Sequence, residues 1–274
     1  MKQVILCADD YALHPNVDAA IVTLIAQGRL TATSCMTLSP NWKDAARLLT
    51  SEIQSKADIG VHLDFTEFKS AQKNKLSHLI IKSLSRRLPR SQLAAAINNQ
   101  LSSFEDALGR APDYIDGHQH VHQLPQIRDV LLQTVIQRYG TNRPWIRISR
   151  PLVRDGIKGQ VIGLLGASGM TAQAESLGLR HSQKLLGVYG FDQDSQSYRN
   201  SCQKWFAQAQ SGDAFMCHPS IAVWPQDLIG EARVMEFDFL SSADFTEMLK
   251  RDQIAPCRGG QSLTQTGRSI RYQN

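Results

Sequence analysis

Val4-Ile5-Leu6-Cys7-Ala8-Asp9-Asp10-Tyr11 begins with five apolar residues in a row and stops at two adjacent carboxylates. A continuous apolar run of this length is what a strand buried on both faces shows, and such strands belong to parallel sheets. Directly after it, Val17, Ala20, Ile21, Leu24 and Ile25 recur at helical spacing, and Gly28 stands where a helix would stop. The two pieces read as one strand–helix unit.

The unit repeats along the chain. Residues 33–38 are expected to form a second strand, with Trp42, Ala45, Ala46, Leu48 and Leu49 marking the next helix, and residues 58–63 a third strand ending in His62. Residues 64–90 are polar and rich in Lys and Ser, an insertion with a short helix expected over 78–85. Helical spacing returns at Leu93, Ile97, Leu101 and Phe104, residues 114–116 make a short fourth strand, and Pro125 opens another helix. Residues 145–148 are a fifth strand carrying Arg147, followed by a Gly-rich helix over 157–169. Residues 185–188 and 214–217 complete seven strands, with a helix around Trp205 between them and a last one around Met248.

Seven strand–helix alternations imply a parallel sheet, either closed into a barrel or open and doubly wound. The placement of polar residues decides between the two. Asp9 and Asp10 end the first strand, His62 the third, His118 follows the fourth, Arg147 lies late in the fifth and His218 follows the seventh. A barrel presents strand-end residues around a ring at its C-terminal face, whereas an open sheet gathers them near one switch point. The expected fold is α/β: a single TIM-barrel-like (β/α) barrel, seven-stranded and parallel, over residues 1–257, with the insertion after the third strand and a loose tail over 258–274.

Composition narrows the function classes. With 274 residues and 42% hydrophobic content the chain can bury a large core. A net charge of +5 is mild, and Arg86, Arg87 and Arg90 lack interleaved aromatic residues, so a nucleic-acid surface is not expected. Five cysteines with no CxxC pair suggest reduced thiols. The N-terminal apolar run is too short for a signal peptide or a membrane span, which leads to the expectation of a cytoplasmic protein without a span. A homodimer is compatible with all of this.

The chemistry centres on Asp116-Gly117-His118-Gln119-His120-Val121-His122, which carries three of the eight histidines on alternate residues. If this backbone is extended, the imidazoles form one row. Neutral imidazole is the commonest metal ligand, and Asp116 is placed to orient a ring by accepting its other N–H. An Asp, a His and a second His from three strand ends make a divalent-metal site with positions left for water and substrate. The adjacent Asp9 and Asp10 would point opposite ways on an extended strand, which suits them to different tasks.

Asp9-Asp10-Tyr11, Gly60-Val61-His62-Leu63, Asp116 to His122 followed by Pro125, and Cys217-His218-Pro219 resemble, in order and spacing, the YdjC-like (ChbG-type) carbohydrate deacetylases. That resemblance implies a barrel-like α/β fold and metal-dependent removal of acetyl groups from N-acetylated sugars. By the same resemblance, Asp10, His62 and His118 are the metal ligands, Asp9 the general base and His218 the general acid. Tyr11-Ala12 stands where the family usually has Phe-Gly, and Ser220 where it has Gly. Three rings along a strand-like segment cannot all converge on one ion, so the metal falls to His118 alone. His120 and His122 become pocket-wall groups, Asp116 an orienter, Arg147 a cation that keeps Asp9 ionised, and Tyr11 a pocket neighbour. Two imidazoles and one carboxylate suit zinc, manganese, cobalt or nickel, and an octahedral site completed by waters suits magnesium; magnesium or zinc is the expected ion. The rival readings are a metal hydrolase of another amide, an ester or a phosphoester, and a metal-dependent sugar-binding protein without turnover.

Overall fold

β1 (Lys2–Tyr11) is the centre of the fold, and its residues 4–11 are fully or almost fully buried. The computed structural model describes residues 1–68, 75–152 and 166–263. After β1 come α1 (Pro15–Ala26), β2 (Ala32–Cys35), α2 (Trp42–Leu48), α3 (Ser51–Lys56), β3 (Asp58–Leu63), α4 (Leu76–Leu84), α5 (Arg90–Leu108) and β4 (Tyr114–Gly117). A 3₁₀ segment (His118–Gln123) leads to α6 (Pro125–Tyr139), β5 (Trp145–Ile146), α7 (Ser168–Ser176), β6 (Leu185–Leu186), α8 (Ser195–Gln208) and β7 (Ala214–Cys217). The chain continues through α9 (Gly230–Ser241), α10 (Ala243–Arg251), β8 (Ile254–Pro256) and α11 (Gly259–Ser262).

Seven strands pair in the order β5-β4-β3-β2-β1-β7-β6, every pair parallel. The sheet curls until its edges approach, where isolated parallel bridges join Ile146 to His181 and Pro151 to Leu185. The expected barrel-like α/β fold is therefore present. An eighth strand, β8, pairs with the start of β1 outside this path.

Strand parity sorts the side chains. Val4, Leu6 and Ala8 of β1 join the core beneath the helices, while Ile5 and Cys7 join a second core inside the curl with Ala32, Tyr114, Trp145, Ala214 and Met216. The inner core is stacked tightly: Trp145 lies on Tyr114 at 4.4 Å between ring centroids, and a Cβ on Gly60 would meet the Tyr114 ring at 2.6 Å. Gly60 is glycine because that ring needs its space. Continuing the inward parity toward the strand C-termini gives Asp9 after Cys7, His62 after Gly60, Asp116 after Tyr114, Arg147 after Trp145 and His218 after Met216.

Several expectations need correction. The strand over 33–38 stops at Cys35, and those over 145–148 and 185–188 pair for only two residues each. The helix expected over 78–85 is α4, and most of the one expected over 157–169 lies outside the described residues. α9 was not anticipated, because the inward face of that helix carries Arg233 and Glu236 beside Ala232 and Leu240. The segment opening the supposed tail is also not loose. Asp58, at the start of β3, accepts from Arg258 Nε at 2.7 Å, the Gly260 N–H at 2.8 Å and Trp145 Nε1 at 3.0 Å, which pins residues 258–263 under the sheet.

Ala12 has φ +72°, in the left-handed region, and its N–H donates to Asp18 Oδ1 at 2.6 Å. A Cβ in that region costs roughly 1–2 kcal/mol, against which glycine loses some unfolded-chain entropy advantage. Ala12→Gly is expected to raise stability by about 0.5–1 kcal/mol in urea unfolding; a lower midpoint would show that Ala12 carries no strain.

Candidate active site

Asp10 is where the sequence pattern and the backbone part company. Between Ala8 and Tyr11 the register of β1 against β2 shifts, and Asp10 adopts φ +67°. This break in the extended conformation turns the Asp10 carboxylate inward beside that of Asp9. Asp10 Oδ1 lies 3.1 Å from His118 Nδ1 and 3.5 Å from His62 Nε2, and donor atoms of these three residues lie within 4.8 Å of one another. His62 is held from behind, its Nδ1 lying 2.6 Å from Asp116 Oδ1 and 3.1 Å from Ser34 Oγ. With Asp116 ionised, that nitrogen carries the ring proton, and Nε2 faces Asp10.

Asp9 belongs to a different arrangement. Arg147, fully buried, donates Nη1 to Asp9 Oδ1 at 2.5 Å and Nη2 to Asp9 Oδ2 at 2.7 Å, and also pairs with Asp116 Oδ2 at 3.0 Å. The outer oxygen, Asp9 Oδ2, lies 3.9 Å from both His62 Nε2 and His218 Nε2. Phe191 meets the His218 ring edge-on at 5.1 Å, and Glu236 accepts the His218 backbone N–H at 2.5 Å.

The charges follow from these contacts. Burial alone would raise the Asp10 pKa, but Arg233 and the hydrogen bonds with His118 and His62 hold it well below the usual carboxylate range. Burial is likewise overcome at Asp9 and Asp116 by Arg147 and His62, so both are held down. Burial works against a charge on His62, yet Asp116 and Asp9, with hydrogen bonds to Asp10 and Asp116, push it up to about 10. His218 is lowered to about 4, chiefly by burial and against the pull of Asp10 and Asp9.

Of the expected site residues, the structure brings together Asp9, Asp10, His62, His118, Asp116, Arg147 and His218. It does not form the expected histidine row. Gln119 and His120 have φ of 52° and 60°, so the chain coils into the 3₁₀ segment and sends the rings apart. His120 Nδ1 lies 2.9 Å from Ser149 Oγ, and His122 Nε2 donates to the Arg147 carbonyl at 2.9 Å. Burial lowers the pKa of both, so these rings are neutral props for the segment that carries Arg147. Tyr11 is corrected outright: it points away from the site, donating its hydroxyl to the Ala45 carbonyl at 2.8 Å.

Arg233 is a site residue that the sequence reading missed. Its Nη2 donates to Asp10 Oδ2 at 2.7 Å, its Nε lies 3.2 Å from Asp227 Oδ2, and it sits 5.7 Å from the Trp224 ring centroid. Glu236, one turn further along α9, accepts from the Tyr189 hydroxyl at 2.6 Å. Two charged residues three apart, aligned with Ala232 and Leu240, were the available signal.

A divalent ion fits Asp10, His62 and His118, because donor atoms of one carboxylate and two imidazoles converge within 4.8 Å of one another. Cys7, Asp9 and Asp116 also lie close together. That cluster already contains the Arg147 guanidinium, and burial pushes the Cys7 thiol up so that it stays protonated.

The model of the YdjC-like protein family matches residues 3–251. The chain belongs to the YdjC-like family. A Mus musculus carbohydrate deacetylase is 30% identical over 153 residues, covering 50% of this chain and 48% of that protein. A chitooligosaccharide deacetylase of Salmonella paratyphi B is 27% identical over 145 residues, covering 50% and 57%. The chain thus spans about half the length of the curated relatives it matches. Among solved structures, an Enterococcus faecalis V583 protein described as a candidate cellobiose-phosphate cleavage protein superposes with TM-score 0.71 at 18% identity, covering 96% of this chain and 99% of that one. A peptidoglycan N-acetylglucosamine deacetylase gives TM-score 0.51 at 12% identity, covering 93% and 85%. Both similarities bear on the fold.

His62→Ala and His118→Ala are expected to abolish retention of a divalent ion after dialysis, and Asp116→Asn to weaken it by about 10–100-fold. With Asp116 and Asp9 holding the His62 pKa above its ordinary value, ion binding is expected to displace a proton and affinity to rise with pH. Calorimetry in buffers of different ionisation enthalpy should register about one proton released per ion near pH 7. Release of none would show that His62 is already neutral in the ion-free site.

Proposed function

We propose that this protein is a metal-dependent hydrolase that removes acetyl groups from N-acetylated sugars, of the N-acetylglucosamine oligosaccharide or glycoconjugate type. The observation that carries this reading is the position of Asp9 Oδ2, 3.9 Å from the His62 and the His218 Nε2 atoms. It puts an ionised carboxylate between a prospective metal ligand and a second imidazole. The carbohydrate deacetylases among its relatives support the choice of substrate class.

Asp10, His62 and His118 would hold the ion, with magnesium or zinc as the first choices. Once bound, it supplies polarisation of the acetyl carbonyl and a water more acidic than bulk water. The protein's own residues supply the proton traffic. Arg147 keeps Asp9 ionised and fixes its orientation, so Oδ2 accepts the proton of the attacking water. His218 is neutral at rest, which suits a shuttle better than a stored acid. It takes that proton through Nε2 and delivers it to the sugar nitrogen, so that the amine leaves and acetate remains. The Glu236 contact to its backbone N–H and the Phe191 ring hold the imidazole in place for both transfers.

Acetate release from diacetylchitobiose, measured with and without chelator on protein of known metal content, tests the reading. Chelator-sensitive release is expected. Asp9→Asn should keep the ion and lose turnover, and His218→Ala should cost on the order of 10²–10⁴ in rate. Metal-loaded protein that hydrolyses a phosphoester but no acetamide would replace this function with another.

A further inference from the structure

The opposite end of the same strands carries a second polar concavity of about 360 Å³, lined by Arg110, Arg143, Arg180, Arg258, Asp58 and Asp113. Asp58 starts β3 and His62 lies four residues on, so the cleft is roughly 13 Å along the strand from the metal cluster. Its two carboxylates are already engaged. Asp58 accepts from Arg258, Gly260 and Trp145, and Asp113 Oδ2 accepts from the Ile59 N–H at 2.8 Å and Arg110 Nη2 at 3.0 Å.

Arg143 and Arg180 are left over. Among the described residues, Arg143 donates only to the carbonyls of Gly140 and Leu177, and Arg180 only to those of Gly260 and Arg143. Among the described residues neither guanidinium meets a carboxylate. Carbonyl dipoles orient these groups without cancelling their charge, so two positive charges face one concave space with N–H donors to spare. Docking of the C-terminal segment accounts for Arg258 and for one arm of Arg180, and it does not call for Arg143.

We propose that this cleft is an anion site that takes the phosphoryl group of a small phosphorylated metabolite, separate from the active site. A phosphoryl dianion matches the two uncompensated charges, and its oxygens suit the planar fork of a guanidinium.

Titration of the metal-loaded protein with inorganic pyrophosphate at low ionic strength tests it. Binding at one site is expected, unchanged in His118→Ala and weakened at least about tenfold in the double variant Arg143→Gln/Arg180→Gln. Absence of binding, equal binding by the double variant, or loss of binding in His118→Ala alone would overturn the proposal, the last by placing the probe on the metal. Should the double variant misfold, crystals soaked in pyrophosphate decide: density between Arg143 and Arg180 supports the site, and an empty cleft refutes it.

Discussion

A fully buried arginine clamped between two buried carboxylates is the constraint around which the site is built. Arg147 cannot leave Asp9 or Asp116 without stranding a charge in the interior, and breaking a buried pair costs about 3–5 kcal/mol. Its position is set in turn by the aromatic stack beneath it, through Cys7 Sγ at 3.2 Å and the Tyr114 hydroxyl 2.9 Å from that sulfur. The inner core and the active site are thus one continuous column, with apolar packing below and ionised groups above.

The balance of charge in that column suits a cation at its top. Asp9, Asp10 and Asp116 are all held ionised; Arg147 is shared between Asp9 and Asp116, and Arg233 between Asp10 and Asp227. In the free site the third positive charge is the proton on His62. A divalent ion held by Asp10, His62 and His118 would take the place of that proton and would supply one further positive charge. Asp116 serves both arrangements, accepting from His62 on one oxygen and pairing with Arg147 on the other.

How much of this could be read beforehand depends on where each residue sits. Asp9, His62, Asp116, Arg147 and His218 all follow inward-facing strand positions, and alternation alone points them into the barrel. Asp10 lies on the outward parity and comes inward only because its backbone takes a left-handed conformation, which a non-glycine residue does not announce. The same is true of Gln119 and His120, whose positive φ values turn an expected row of rings into a coil. Arg233 escaped because α9 buries charges where apolar residues are normally sought, and Tyr11 misled because a residue next to two site carboxylates need not share their direction.

The most direct measurement is a crystal structure of the protein loaded with zinc or manganese, using anomalous scattering to locate the ion. The account predicts one peak about 2.0–2.2 Å from Asp10, His62 and His118 donor atoms, with Asp9 still paired to Arg147. A peak among Cys7, Asp9 and Asp116, or one bound by His120 or His122, would contradict it.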